Sequence, residues 1–234
     1  MWAASAKRSS FSSEIARLNR ASEGAAESYL KVLEYEDGDA ATFYNLGLAY
    51  DDRGDFGAAV DYFRRAVADD PAYADAWYGL GCALDGQGFY AEALVAFDRA
   101  IAEAPDDSEY WHARADTEYN AGHLDAALRS YTEVVSLDPD NKDAWLDLAE
   151  TRLQAGLRRE SFAAFARVIQ IDPQWPEAHL RFAWAQASIG QRDSAVRSFR
   201  RAMELDPDRA SEEMRRAYPD LGDMQSDERA RGDA

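Results

Sequence analysis

The sequence predicts an all-α fold, a solenoid of antiparallel helix pairs stacked along the chain. Two residue types recur at a fixed step of 34 residues, which is typical of a repeat architecture. The prolines of the series are Pro71, Pro105, Pro139, Pro173 and Pro207, and the glycines are Gly54, Gly88, Gly122, Gly156 and Gly190. The third observation is that apolar residues within each period recur at helical spacing, in two separate stripes.

Each period is interpreted as two helices joined by a short glycine turn. In the first period, the first stripe consists of Phe43, Leu46, Gly47 and Tyr50, and the second of Ala59, Val60, Phe63, Ala66 and Val67. Gly54 interrupts the apolar pattern between them, and Pro71 ends the second helix because it has no amide hydrogen to donate. A lone helix pair cannot bury both stripes, so we expect neighbouring pairs to stack and complete the core.

The repeat resembles the tetratricopeptide repeat (TPR), whose 34-residue pattern is W-x2-L-G-x2-Y…A-x3-F…P. The first period matches it closely, with Phe43 in place of tryptophan. The next three periods carry Trp77, Trp111 and Trp145, which we expect to be buried. The fifth period has His179 there, interpreted as a core substitute, and the third has Arg114 and Glu118 at apolar places. The resemblance implies a right-handed superhelical solenoid.

The resemblance divides the chain into four parts. Residues 1–39 are predicted to form a degenerate N-terminal repeat or cap, because terminal repeats meet water on one face. Residues 40–207 hold five repeats, at 40–73, 74–107, 108–141, 142–175 and 176–209. A C-terminal capping helix is predicted over 210–218. The polar, aperiodic residues 219–234 are predicted to be a disordered tail.

Composition narrows the classes of function. The net charge of −18 repels phosphate backbones and anionic membrane surfaces, so we predict neither nucleic acid nor a membrane as a partner. No apolar run approaches the roughly 20 residues of a membrane helix, and the N-terminus lacks the apolar stretch of a secretion signal, which predicts a cytoplasmic protein. The single cysteine, Cys82, is interpreted as a small buried apolar side chain.

The sequence contains no pattern typical of catalysis, metal binding or cofactor binding. The histidines, His112, His123 and His179, form no HExxH sequence, and a single cysteine excludes a cysteine-based zinc site. GxSxG, P-loop and GxGxxG sequences are absent. We therefore predict that the protein is not an enzyme and has no catalytic residue, metal or cofactor.

In TPR proteins the first helices of the repeats line a concave groove, and the second helices form the convex back. Windows covering the five first helices hold eleven acidic and five basic side chains, whereas those covering the second helices hold nine acidic and eleven basic. The implied groove is acidic and carries aromatic side chains. Its predicted peptide-binding residues are Tyr44, Asn45, Leu48, Asp51, Asp75, Tyr78, Asp85, Glu109, His112, Asp116, Tyr119, Asp147, Glu150, Arg181 and Trp184.

These features favour a protein-interaction scaffold that binds a basic or amphipathic peptide segment in the acidic, aromatic-lined groove. A basic clamp for a C-terminal carboxylate, which some TPR proteins use, is disfavoured because only Asn45 stands at a clamp-like place. The alternative is structural self-assembly, in which the acidic groove of one copy meets the arginine-bearing back of another in a homo-oligomer. A third hypothesis is a small enzyme that uses an unrecognised carboxylate pair.

Overall fold

The computed structural model describes residues 38–218 together with Gly24, Glu27, Tyr29 and Leu30. Residues 38–218 contain eleven α-helices and no strand, which confirms the predicted all-α fold class. None of these helices combines the length and the apolar character that crossing a membrane requires. The predicted tail over 219–234, and nearly all of the predicted N-terminal repeat over 1–39, lie outside the described residues.

The helices follow one another through short connections and form two compact units. Their bounds are α1 Ala40–Asp51, α2 Phe56–Asp69, α3 Ala74–Gly86, α4 Tyr90–Glu103, α5 Ser108–Asn120, α6 Leu124–Leu137, α7 Lys142–Gln154, α8 Arg158–Ile171, α9 Pro176–Ser188, α10 Arg192–Leu205 and α11 Pro207–Ala217. The N-terminal unit is residues 1–130 and the C-terminal unit residues 131–234. Within the units, α1 packs on α2, α3 on α4, α7 on α8 and α9 on α10.

The turn inside each helix pair depends on a glycine. Gly54, Gly88, Gly122, Gly156 and Gly190 have φ between 74° and 80°. Side chains with a Cβ disfavour this region of backbone conformation, so the turn keeps glycine at every period. In the first of these turns, the Asp55 side chain accepts a hydrogen bond from the Ala58 amide at 3.2 Å and so caps α2.

Phenylalanine rings on the second helices lie at the centre of the N-terminal unit's core. Phe63 on α2 and Phe97 on α4 are almost completely buried. A Cβ placed on Gly47 of α1 would lie 2.6 Å from the Phe63 ring, and one on Gly79 of α3 would lie 2.7 Å from the same ring. A Cβ placed on Gly81 of α3 would lie 2.5 Å from the Phe97 ring. The absent side chains therefore let the first helices approach these rings closely.

The C-terminal unit uses buried alanines of its first helices around the equivalent rings. Phe165 on α8 is buried in a cluster with Ala149 of α7, and Phe199 on α10 in a cluster with Ala183 of α9. The last helix, α11, completes the second cluster by burying Met214. Alanine is the smallest side chain with a Cβ, so these helices also pack closely on the phenylalanine rings.

A hydrogen bond links the first helix of a repeat to the proline at the end of the preceding one. The indole N–H groups of Trp77, Trp111 and Trp145 donate to the carbonyl oxygens of Pro71, Pro105 and Pro139 at 2.9–3.0 Å. These tryptophans are half-buried, not buried as we expected, since their N–H groups must reach a loop carbonyl. His179 is buried, and its Nε2 lies 3.1 Å from the Pro173 carbonyl oxygen. The histidine thus reproduces the contact of the tryptophan that it replaces.

The two charged residues that depart from the repeat pattern form an ion pair. Arg114 Nη1 lies 2.8 Å from Glu118 Oε1, one turn further along α5. Ser130 on α6 donates to the other glutamate oxygen at 2.6 Å, and Arg114 also lies 2.8 Å from Asp98. Because Glu118 is buried, this pairing offsets the cost of removing its charge from water. The third repeat therefore has a polar contact between its helices where the pattern has an apolar one.

Replacing Gly81 with alanine is expected to destabilise the protein, although alanine ordinarily favours a helix. The new Cβ would lie 2.5 Å from the ring of Phe97, which is almost fully buried. Overpacking of a core costs about 1–3 kcal/mol, whereas the gain from helix propensity is at most about 1 kcal/mol. Urea unfolding of Gly81→Ala and of the parent measures the difference in free energy of unfolding.

Gly57→Ala, in α2, is the control for this substitution. A Cβ on Gly57 would meet only Asp55 Oδ1, at 3.7 Å, which is an ordinary contact distance. This variant should be at least as stable as the parent, because it gains helix propensity without a clash. Equal stabilities of the two variants would contradict the close packing of α3 on Phe97.

Candidate protein-binding surface

Two carboxylates on the first helices of the N-terminal unit are held by tyrosine hydroxyls from the neighbouring first helix. Tyr110 on α5 donates to Asp75 Oδ1 on α3 at 2.5 Å, and Tyr78 on α3 donates to Glu109 Oε1 on α5 at 3.0 Å. The two tyrosine rings stack with their centroids 5.0 Å apart. The crossed hydrogen bonds and the stacked rings together fix the positions of both carboxylates, which are exposed.

Burial raises the pKa values of the tyrosine hydroxyls of this group. It is the largest cause of the raised pKa values of Tyr78 and Tyr110, and the interactions of the two hydroxyls with Glu109 and Asp75 raise these pKa values further. The pKa of Tyr44 is likewise raised, by burial first and by the nearby Asp75 second. The hydroxyls therefore remain hydrogen-bond donors at neutral pH.

Two further carboxylates lie at the ends of α1 and α3. Asp85 accepts a hydrogen bond from the Thr117 hydroxyl of α5 at 2.7 Å. Asp51 is half-buried, and its Oδ1 is buried without a hydrogen bond from the described residues. Burial, with a smaller contribution from Asp52, raises the pKa of Asp51 above its usual value of 3.8. Burial also raises the pKa of the Cys82 thiol to about 12, so this thiol stays protonated.

These contacts define one surface of the N-terminal unit, which we call the acidic tyrosine surface. Its members are Tyr44, Asp51, Asp75, Tyr78, Asp85, Glu109 and Tyr110. Other residues predicted to bind peptide lie on the same three helices. Asn45 donates to the Ala41 carbonyl oxygen at 2.8 Å, and His112 Nε2 lies 3.7 Å from Asp116 Oδ1. Leu48 and Tyr119 are exposed.

In the C-terminal unit, glutamates of the first helices are paired with arginines. Arg181 on α9 lies 3.3 Å from Glu150 on α7 and 2.5 Å from Glu177. Glu177 also pairs with Arg209 of α11, at 2.6 Å. Burial raises the pKa of Glu150, although the charge of Arg181 opposes this shift. Asp147, also predicted to bind peptide, is half-buried on α7.

A cavity of about 600 Å³ opens among α7, α8, α9 and α11 of this unit. Leu153, Phe165 and Leu180 supply apolar lining. Trp184, the last predicted binding residue, also lines the cavity and is 37% exposed. Its indole N–H donates to Glu213 Oε2 of α11 at 3.1 Å. This part of the C-terminal unit is therefore an open, largely apolar pocket with charged side chains around it.

Reasoning from the sequence missed several residues at these sites, among them Tyr110, Glu177, Arg209 and Glu213. Tyr110 occupies the place where neighbouring repeats carry Ala76 and Ala144, and the repeat pattern assigns it no binding role. The residue is buried, but its hydroxyl donates to the exposed Asp75, and a tyrosine at an alanine place was the available signal. Arg209 and Glu213 lie on α11, where the repeat pattern ends and assigns no face to a side chain.

Comparisons with protein families agree with this architecture. Models of the tetratricopeptide repeat match residues 52–116, 112–176 and 176–209. The chain belongs to the tetratricopeptide-repeat family. TPR repeats form a scaffold fold for protein interactions rather than a catalytic fold, and the matches cover most of the described residues. No curated protein matches the sequence.

Solved structures share the fold at low sequence identity. YrrB, a TPR protein with an unusual peptide-binding site, is 22% identical with a TM-score of 0.65, over 79% of this chain and 95% of YrrB. MamA from Desulfovibrio magneticus RS-1 is 20% identical with a TM-score of 0.67, over 73% of this chain and 97% of that structure. Another MamA structure is 21% identical with a TM-score of 0.65, over 70% of this chain and 96% of that one.

Replacing Asp51 with asparagine is expected to stabilise the protein at neutral pH. Because the pKa of Asp51 is raised in the folded state, folding binds a proton in the weakly acidic range. The stability associated with this group is present at low pH and is lost as the pH rises through the raised pKa. Asp51→Asn removes that loss, so its melting temperature should exceed the parent's at pH 7 and approach it at pH 4.

Asp52→Asn is the matched control, because it makes the same change in net charge at an exposed neighbour. Its effect on the melting temperature should be smaller and should vary less with pH. A melting temperature of Asp51→Asn that stays below the parent's across this pH range would show that the buried carboxylate is stabilised by a partner, contrary to the pKa argument.

Proposed function

We propose that this protein is an interaction scaffold that binds a basic segment of a partner protein on the acidic tyrosine surface of its N-terminal unit. The proposal depends chiefly on how Asp75, Asp85 and Glu109 are held. Each accepts a hydrogen bond from a neutral hydroxyl, and none forms an ion pair within residues 38–218. Their negative charges are therefore fixed in position and remain uncompensated, as a site for a cation requires.

Aromatic side chains add to the attraction for a basic segment. The half-buried rings of Tyr44 and Tyr78 lie among the carboxylates. Arginine or lysine gains about 0.5–1 kcal/mol at the face of an exposed aromatic ring. A rigid ring also supplies contact area at low cost in conformational entropy. YrrB, which has the same fold and a peptide-binding site, supports the assignment of a peptide or protein as the ligand.

The first helices of the C-terminal unit carry a smaller excess of acidic side chains than those of the N-terminal unit. First-helix windows in the N-terminal unit hold seven acidic and two basic side chains, against four and three in the C-terminal unit. In the C-terminal unit, Glu150 and Glu177 are paired with Arg181 and Arg209. Attraction for a cationic segment is therefore concentrated in the N-terminal unit.

Neutralising two carboxylates is expected to weaken the binding of a basic peptide. The probe is a fluorescein-labelled peptide in which arginine and lysine alternate with glycine, followed by fluorescence anisotropy. The double variant Asp75→Asn, Glu109→Gln should lower its affinity about tenfold at low salt, roughly 1.4 kcal/mol. The difference should shrink at molar salt, because screening shortens the range of exposed charges to about 3 Å.

The control is Asp61→Asn with Glu103→Gln, which makes the same change in net charge on the exposed faces of α2 and α4. This variant should retain most of the affinity of the parent. If both double variants lose affinity equally, binding follows the net charge of the chain and not the acidic tyrosine surface. The proposed site would then be wrong.

Self-assembly is the alternative, and the basic side chains of the second helices favour it. Arg64 and Arg65 on α2 and Arg99 on α4 are exposed, and Arg64 pairs with Glu92 of the same chain at 3.0 Å. In an assembly, these side chains would meet the carboxylates of another copy. Sedimentation at increasing protein concentration distinguishes the two functions. A mass that rises with concentration and falls back in the Asp75→Asn, Glu109→Gln variant would support self-assembly over the binding of a different partner.

A further inference from the structure

The C-terminal unit holds a pocket that the acidic tyrosine surface does not explain. We propose that the cavity between α7 and α11 is an anchor site for one uncharged aromatic side chain of a partner protein, of the size of phenylalanine. This inference rests on the proposed scaffold function, because it assigns a second type of contact to the same kind of partner. The occupant differs in chemistry from the basic segment, so the two sites can be tested separately.

The size and position of the cavity suit a side chain. Its volume of about 600 Å³ lies within the roughly 300–1,000 Å³ range of small-molecule pockets, which leaves room for an aromatic side chain and the backbone that carries it. It is lined from four helices, with Leu153 from α7, Phe165 from α8 and Leu180 from α9. Phe165 and Leu180 are buried, so the inner wall is apolar and belongs to the packed core. An aromatic side chain can enter without a rearrangement of the helices.

The charged side chains of the lining already have partners. Glu150 pairs with Arg181, and Glu177 with Arg181 and Arg209. The pairing of Glu177 Oε2 with Arg209 is an ion pair only, because this oxygen accepts no hydrogen bond from the described residues. Arg216 pairs with the remaining glutamate, Glu213, at 3.0 Å and also with Glu212 at 2.7 Å. A cation or anion that entered would lose water and compete with these pairs, which costs free energy. An uncharged apolar group leaves these ion pairs intact and avoids both costs, which favours it as the occupant.

Trp184 makes the pocket ready to accept a ring. Its indole N–H is bound to Glu213, and its ring meets Phe199 edge to face with the centroids 5.8 Å apart. The orientation of the indole is therefore fixed while 37% of the residue stays exposed. Aromatic pairs at such distances gain about 0.5–1.5 kcal/mol beyond the burial of their area. A fixed, exposed ring beside a buried apolar wall is typical of an interface anchor.

The test uses N-acetyl-L-phenylalaninamide as a probe, with the full chain labelled with ¹⁵N. The indole N–H signal of Trp184 is assigned by its loss in Trp184→Phe. The probe should shift this signal saturably, with a dissociation constant that changes less than twofold between 0.05 and 0.5 M salt. N-acetyl-L-lysinamide should bind at least about tenfold more weakly. No saturable shift with the aromatic probe, or equal binding of the two probes, would overturn the proposal.

A variant that fills the cavity supplies the second measurement. Ser188 is exposed and lines the cavity, so the phenylalanine ring of Ser188→Phe should fill the cavity from its rim. This variant should bind the aromatic probe at least about tenfold more weakly than the parent. Ser136→Phe, at an exposed position on α6, is the matched control and should bind as the parent does. Unchanged affinity in Ser188→Phe, in a variant with the parent's melting temperature, would also overturn the proposal.

Other occupants give different outcomes. If removal of residues 219–234 raised the affinity for the aromatic probe about tenfold, the occupant would be the C-terminal segment of this chain. If the Trp184 signal shifted on dilution without probe, the occupant would be a second copy. Either result would show that the occupant is not a side chain of a partner protein. Failure of the basic peptide to bind, with normal binding of the aromatic probe, would remove the basic-segment proposal and leave this site as a small apolar binding pocket.

Discussion

The contact between a buried phenylalanine of a second helix and the smallest residues of the first helices is the constraint on which this structure depends. Phe63 touches the positions of Gly47 and Gly79, which belong to successive first helices. One ring therefore sets the approach of two helices at once. Because α3 and α5 lie side by side in the N-terminal unit, Tyr110 can reach Asp75 and Tyr78 can reach Glu109. The geometry of the candidate site is a consequence of this core packing.

The two units use the same helix pairs to produce different electrostatic surfaces. In the N-terminal unit, hydroxyl groups position the carboxylates and leave their charge unbalanced. In the C-terminal unit, Arg181 and Arg209 balance Glu150 and Glu177, and an apolar pocket is what remains open. A hydrogen bond from arginine also balances the negative charge of the carboxylate. A hydrogen bond from tyrosine or threonine fixes the position of the carboxylate and leaves its charge unbalanced. The choice of donor thus decides whether a carboxylate is available to a partner.

Polar residues that interrupt the repeat pattern have partners in the fold. Glu118 takes an apolar place and is satisfied by Arg114 and Ser130. Two repeats later, Gln186 accepts a hydrogen bond from Ser198 at 2.8 Å, with the same spacing of twelve residues. Buried polar groups are costly unless they are hydrogen-bonded, and such pairs make the substitutions tolerable in a repeat core.

The sequence alone determined the fold class, because proline, glycine and aromatic residues on one period each have a local physical cause. Pro71 ends a helix, Gly54 supplies a positive φ, and Phe63 has the helical spacing of a core residue. The excess of acid on the first helices was also visible. The tertiary structure decided which carboxylates keep their charge, since this depends on whether Tyr110 or Arg209 lies within hydrogen-bonding distance. It also decided the half-burial of the tryptophans and the cavity beside Trp184. Those features arise between helices distant in sequence, where a repeat pattern gives the period but not the distance between side chains.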